Sequence, residues 1–203
     1  HLTYSSVQTA HLYRYQKQWI QKSYSSLSKA FTLLSNISVL MKHQLGVSSK
    51  LHPVTLVQRL DSVKNSLQSI FPYRKIEIIN NIPPTVSILA DSLFDHLLLN
   101  LFTNAVKNDP HMVVKIEIGM ELRPDQSNCI LTVMDYAEGI PPHQREGLFE
   151  RFTEFRKKGK GSGLGLFIVK TLVERYGGQI WIENRIPDDY TQGSCFKMKL
   201  QLA

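Results

Sequence analysis

The sequence predicts an α+β fold: a two-layer α/β sandwich, with a mixed, mostly antiparallel sheet and helices on one face, preceded by a long helical dimerisation segment. Three observations carry this. After Lys50, short alternating apolar segments rich in β-branched residues trade places with longer stretches of helical period. The order of those helices and strands gives two layers. Before Lys50, Ile20, Tyr24, Leu27, Phe31, Leu34, Ser38, Met41 and Leu45 step by alternating fours and threes, the seam of a helical bundle or coiled coil.

A second row, Leu33, Ile37 and Leu40, broadens that seam beyond a two-stranded stripe. A helix this apolar needs a partner, and a homodimer through a four-helix bundle supplies one. The plainer alternative is packing on its own domain. The stretch Gly46-Val-Ser-Ser-Lys50 divides a helical segment, residues 1–50, from an α/β region, residues 51–203.

In that second region "PVTLVQRLDSVKNSLQSIF" reads as a short strand leading into a helix, and "KIEIIN" and "TVSILA" as strands around Pro83-Pro84. Asp91 caps an apolar helix that runs to about Lys107. The strands "VVKIEIGMEL" and "CILTVMDY" follow, joined by the polar turn from Arg123 to Asn128. After a Pro-Pro loop comes "GKGSGLGLFIVK", a glycine string opening a helix that ends at Tyr176 before Gly177-Gly178. "QIWIEN" and "SCFKMKLQL" close the sheet.

Composition narrows the function. A hydrophobic fraction of 42% and a charged fraction of 20% are ordinary for a globular protein. No run of 18 or more apolar residues spans a membrane, and the start lacks the apolar core of a signal peptide, so the expectation is a cytoplasmic fragment without membrane contact. Cys129 and Cys195 are far apart in alternating apolar segments and read as buried free thiols. The net charge of +7 raises the question of nucleic acid, but the basic residues are spread widely. Their densest cluster, "RKKGK" at 156–160, abuts the glycine string, which suits a basic lid over an anion and no nucleic-acid partner.

Polar residues interrupt positions that should be apolar. Asn100 and Asn104 lie four apart within the apolar helix and share a face, with Lys107 a turn beyond. A helix-to-loop hydrogen bond accounts for one such asparagine. Two with a lysine suggest a site, because an amide oxygen is a hard ligand for Mg²⁺ and a lysine meets phosphate. Asp135 ends a strand and opens "DYAEGIPP", where a carboxylate either caps the turn or accepts a hydrogen bond from an exocyclic amine, with Gly139 admitting a flat ring. Phe149 and Phe152 in "LFERF" read as core or as the hinge of the lid. The alternating glycines suit a phosphate cradle, in which backbone N–H groups and a helix N-terminus face an anion.

The motifs occur in the order Asn-x-x-x-Asn, Asp-x-x-x-Gly, Phe-x-x-Phe and Gly-x-Gly-x-Gly. Residues 51–203 thereby resemble the ATP-binding domain of sensor histidine kinases, within the ATPase superfamily that includes type II topoisomerases, mismatch-repair ATPases and a heat-shock chaperone. "NLFTNAVKNDP" looks like the family's N box, "DYAEGI" its G1 box, "LFERF" its F box and "GSGLGL" its G2 box, while the tail "WIENRIPDDYTQGSCF" looks most like archaeal members. Residues 23–46 are similar to the second helix of the preceding dimerisation and phosphotransfer domain. The resemblance implies ATP and Mg²⁺ as cofactors. It implies that Asp135 reads the adenine amino group, with Gly139 and Ile140 lining the base pocket and Phe152 beside it. It assigns Asn104 to the metal, Asn100 to support on the same face and Lys107 to phosphate. Gly161, Gly163, Leu164, Gly165 and Leu166 belong to the phosphate-facing loop and helix start, and Ser194 supplies a hydroxyl that supports the carboxylate through water.

Two departures stand out. Ala137 replaces the first glycine of the G1 box. Neither His1, followed by Leu2, nor His11, followed by Leu12, has the acidic neighbour of the family's phospho-accepting histidine, so either is a poor acceptor and one upstream is favoured. The leading expectation is a histidine kinase core that transfers the γ-phosphoryl of ATP to a histidine, for relay to an aspartate of a response regulator. The alternative is a non-catalytic ATP-binding dimeric scaffold, or a phosphatase-type regulator lacking its own acceptor. A hydrolytic clamp of the chaperone or repair type is disfavoured, because those relatives place a glutamate base where Asn100 stands.

Overall fold

The computed structural model describes residues 50–122, 127–150 and 163–203, together with isolated positions between 16 and 41 whose backbone is helical. His1, His11, Phe152, Gly161 and the basic cluster 156–160 lie outside the described residues, as does most of the predicted helical segment 1–50. Five strands form the main sheet: β2 (Lys75–Asn81), β4 (Val113–Leu122), β5 (Asn128–Asp135), β7 (Asp189–Gln201) and β6 (Gln179–Ile186), in that spatial order. β2 runs parallel to β4 and every other pairing is antiparallel. The sheet is therefore mixed and mostly antiparallel, as the sequence predicts.

Among the described residues from 50 to 203, three α-helices complete the sandwich. In α1 (Leu56–Ile70) the buried residues Leu56, Leu60, Val63 and Leu67 repeat at helical spacing and pack on α2 (Phe94–Asn108). In turn α2 packs on α3 (Gly165–Arg175), and α3 lies on β6 and β7. Residues directly opposite one another in the ladders, such as Ile118 and Val133, or Leu131 and Met198, carry the buried face into the same core as Phe94, Leu97, Leu101 and Leu172. Lys115, Glu117, Lys197 and Lys199 alternate with these and stand on the other face.

Three details differ from the sequence reading. β1 (His52–Thr55) and β3 (Ser87–Ala90) form a separate antiparallel ribbon, tied to the end of β7 by the Ile88–Leu202 bridge and by Ala203 N–H donating to the Ser87 carbonyl at 3.0 Å. The segment "RIPDDYTQG", which the alternation assigns to neither strand, forms a tight hairpin, so β6 and β7 are longer than their alternation suggests. Asp188 makes that turn with φ 63°, a left-handed conformation that Asp tolerates better than most residues. Lastly, Asp91 does not cap α2 itself: the helix begins at Phe94, and the Asp91 carboxylate accepts the Leu93 N–H at 2.9 Å in the preceding turn.

Candidate nucleotide site

Asp135 closes β5 on the core-facing side of the sheet, directly opposite Ile116, which is why a carboxylate at a strand end is buried. Its Oδ1 accepts the backbone N–H groups of Ala137 and Ser194, each at 3.1 Å. Its Oδ2 accepts no hydrogen bond among the described residues. Burial pushes the Asp135 carboxyl above the ordinary carboxylate range, and the two backbone donors pull against that. The charge of the buried Asp109 pushes it further up and that of Arg185 pulls it down.

The loop after Asp135 is pinned by backbone contact. A Cβ at Gly139 would stand 1.7 Å from the Tyr190 carbonyl oxygen, so glycine is required there by the protein's own β7. Gly193 is required for the same reason: its φ is 109°, and a Cβ would lie 2.1 Å from the Asp135 carbonyl oxygen. Arg145 donates from Nε to the Ile140 carbonyl at 2.9 Å and from Nη2 to the Asn184 side-chain oxygen, bracing Ile140 against β6. Ala137 is buried and gives its N–H to Asp135, so the turn closes without the glycine that usually stands there. Ser194 supports the carboxylate through its backbone N–H.

The second group of site residues lies where α2 meets α3. Asn100 donates from Nδ2 to the His96 carbonyl at 2.8 Å, which turns its Oδ1 toward the start of α3. A Cβ on Gly165 would be 3.1 Å from that oxygen, so the glycine lets the two helices close together here. Gly163 has φ 69°, a left-handed turn into the helix, and the buried Leu164 begins the helical hydrogen bonding by accepting the Ile168 N–H at 2.9 Å. Leu166 points into the core. Asn104 sits a turn beyond Asn100, its amide oxygen 3.3 Å from the Asn108 Nδ2, and Lys107 is exposed in the last turn of α2. Phe149 is partly buried, edge-on to Phe196 with ring centroids 6.4 Å apart, so it belongs to the packing on β7.

Sequence reasoning missed how these groups are held in place, reading Asp91 only as a helix cap and Tyr176 only as a helix end. Asp91 is fully buried and accepts the Tyr176 hydroxyl on Oδ1 and an Arg175 Nη2 on Oδ2, both at 2.8 Å. Gly193, four residues after Asp189, is signalled only by being a glycine within a strand pattern. Arg145 and Asn184 carry no sequence signal.

The fold is an α+β sandwich with a buried carboxylate, one oxygen of which accepts no hydrogen bond among the described residues, and, where α2 meets α3, an amide oxygen set against a glycine-rich helix start. The comparisons with known proteins give its family. Residues 90–203 match the family described as histidine kinase-, DNA gyrase B- and HSP90-like ATPase. The chain belongs to that family. It is 34% identical over 142 residues to the sensor protein KdpD of Escherichia coli, covering 68% of this chain and 15% of that protein. It is 27% identical over 189 residues to the sensor histidine kinase TmoS of Ectopseudomonas mendocina, covering 90% of this chain and 18% of that one. The chain thus spans less than a fifth of either relative. Among solved structures, the mycobacterial sensor histidine kinase MprB superposes with a TM-score of 0.64 at 27% identity, over 75% of this chain and 97% of that one. Full-length ShkA in complex with AMPPNP superposes with a TM-score of 0.65 at 26% identity, over 84% of this chain and 36% of that one. These relatives are bacterial sensor kinases and lend the archaeal likeness of the tail no support.

Proposed function

We propose that the chain is the core of a sensor histidine kinase, which binds ATP with Mg²⁺ and passes the γ-phosphoryl group to a histidine for relay to a response-regulator aspartate. The observation that carries this is Asp135, buried and held by two N–H groups on one oxygen while its other oxygen accepts nothing from the described residues. An exocyclic amine is the ligand group such an oxygen selects, and adenine presents one. The AMPPNP bound by ShkA supports an adenine nucleotide.

In this reading Gly139 and Ile140 border the base, and Gly163, Leu164 and Gly165, with Gly161 before them, offer backbone N–H groups to the phosphates. Lys107 offers a cation from the last turn of α2. Asn104 holds the metal and Asn100 assists, a donor set whose hard amide oxygens fit Mg²⁺. That fit rests on Asn100, whose Nδ2 is already engaged with His96, so that its oxygen is the atom presented toward α3. Mg²⁺, when bound, neutralises charge on the transferring phosphates. The imidazole nitrogen attacks the γ-phosphorus as the bond to the β-phosphate oxygen breaks. ADP departs, and the imidazole proton passes to a base. Asn100 cannot serve as the base of a hydrolytic clamp, which favours transfer to a protein nucleophile over hydrolysis.

We assign residues 51–203 to the ATP-binding domain and 1–50 to dimerisation and phosphotransfer. In support, Ile20, Leu27, Leu34 and Met41 recur every seven residues, and each is more than half exposed on the helical backbone described there. Such a stripe suits a partner helix of a second copy. ATP and GTP separate the readings of the site. Guanine turns a carbonyl oxygen where adenine has its amine, and Asp135 repels it. Calorimetry with Mg²⁺ is expected to show GTP binding at least about tenfold weaker than ATP, the effect of one lost charged hydrogen bond. Equal affinities would contradict the assignment.

A further inference from the structure

The helices that carry the amide pair and the phosphate-facing loop meet at two points. At one, Asn100 Oδ1 abuts Gly165 at the start of α3. At the other, where α2 begins and α3 ends, the carboxylate of Asp91 takes hydrogen bonds from Leu93 N–H, the Tyr176 hydroxyl and Arg175 Nη2, at 2.9, 2.8 and 2.8 Å. The two helices are thus antiparallel: Asp91 lies just before α2 and nine positions before Asn100, and Gly165 and Arg175 lie ten positions apart, roughly 15 Å along α3. Asp91 is fully buried, the Arg175 side chain is 12% exposed, and the Tyr176 ring is buried and lies 6.3 Å from that of Phe94. A buried ion pair contributes little net stability over an apolar isostere, whereas its geometry admits few alternatives. Ridge-into-groove helix packing by itself tolerates neighbouring registers. The Asp91 carboxylate, bonded to the backbone of one helix entrance and to two consecutive side chains of the other helix end, tolerates one.

We propose that Asp91, Arg175 and Tyr176 are positioning residues, a latch that sets the register of α2 against α3 and thereby places Asn100 and Asn104 opposite the Gly163–Gly165 turn. The consequence for ligands rests on the nucleotide reading above, while the register itself does not. Asp135 lies on β5 and receives its support from Ala137 and Ser194, so the latch acts on the phosphate and metal half of the site and leaves the base half unmoved.

The test uses the full chain with Asp91→Asn, Arg175→Met and Tyr176→Phe, each checked for folding by circular dichroism. Two things are measured: the NMR resonances of the Gly165 amide and the Asn100 side-chain amide without nucleotide, and the affinities for ATP with Mg²⁺ and for adenosine. Asp91→Asn and Arg175→Met are expected to shift both resonances while those of Ala137 and Ser194 stay in place. They are expected to weaken ATP with Mg²⁺ about tenfold more than adenosine, the scale of a small misplacement of binding groups. Tyr176→Phe, which keeps the ring against Phe94, is expected to do the same to a smaller degree, and it carries the test if Asp91→Asn does not fold. Gly165 and Asn100 resonances unmoved in a folded variant would overturn the latch. So would a uniform loss of affinity for both ligands, the mark of a merely structural role. If the unaltered chain bound neither ligand, the nucleotide reading would fall, and the resonances alone would decide the latch.

Discussion

Asp135 is the residue at which burial and the proposed base selectivity meet. Burial raises its pKa, so the carboxyl keeps its proton to a higher pH than an exposed aspartate does. At this group the folded chain therefore binds more protons than the unfolded chain between the ordinary carboxylate pKa and the raised one. The contribution of Asp135 to stability, read as the difference between the unaltered chain and Asp135→Asn without nucleotide, is expected to fall as pH rises through that window, the reverse of a salt-bridged carboxylate. ATP affinity is expected to move the other way, because only the ionised oxygen accepts the adenine amine without competition from its own proton. Urea titrations and calorimetry across the acid range check both signs, and two curves moving together would contradict the account. The place of Asp135 was legible in the sequence because a carboxylate ending an apolar strand is conspicuous. What supports it was legible only in part, Ser194 being expected there for its hydroxyl. Ser194 acts through its N–H, and Gly139 is excluded from bearing a side chain by the Tyr190 carbonyl, a contact made across 51 positions of chain that no local pattern reports.

At the scale of elements, α2 and α3 were legible from their periodicity, and Asn100 and Asn104 from their polarity on an apolar helix. Each strand of the α/β region was legible from alternation, except where Pro187 and the Asp188 turn hid the continuity of β6 into β7. The pairing of Asp91 with Arg175 and Tyr176 was not, since the partners lie 84 and 85 positions apart and each reads alone as a helix-end residue. The shared face of the two asparagines divides their roles from that of Asp135. Asn104→Ala is expected to abolish the Mg²⁺-dependent gain in ATP affinity while leaving metal-free ADP binding within about twofold, because the half-buried Asn104 is assigned to the metal and not to the base. Titrations with and without Mg²⁺ measure it. Equal loss for both nucleotides would reduce Asn104 to a structural residue.

The whole molecule joins a nucleotide domain of established family to a helical stretch whose described apolar positions are exposed. Phosphoryl transfer needs an imidazole held in line with the γ-phosphate and a neighbouring acid to take up its second proton. His11 is followed by Leu12, so the chain is expected to bind ATP yet label weakly or not at all when incubated with γ-labelled ATP and Mg²⁺. Strong acid-labile labelling that is lost in His11→Gln would contradict this and make His11 the acceptor. The central claim is narrower and comes before any transfer: this chain holds an adenine nucleotide through Asp135. Calorimetric titration of ATP with Mg²⁺ into the unaltered chain and into Asp135→Asn tests it most directly. The amide presents a donor where the adenine amine requires an acceptor, and losing a charged hydrogen bond of about 1.5–3 kcal/mol predicts a dissociation constant weakened by roughly one to two orders of magnitude. An unchanged constant in a folded Asp135→Asn variant would contradict the account.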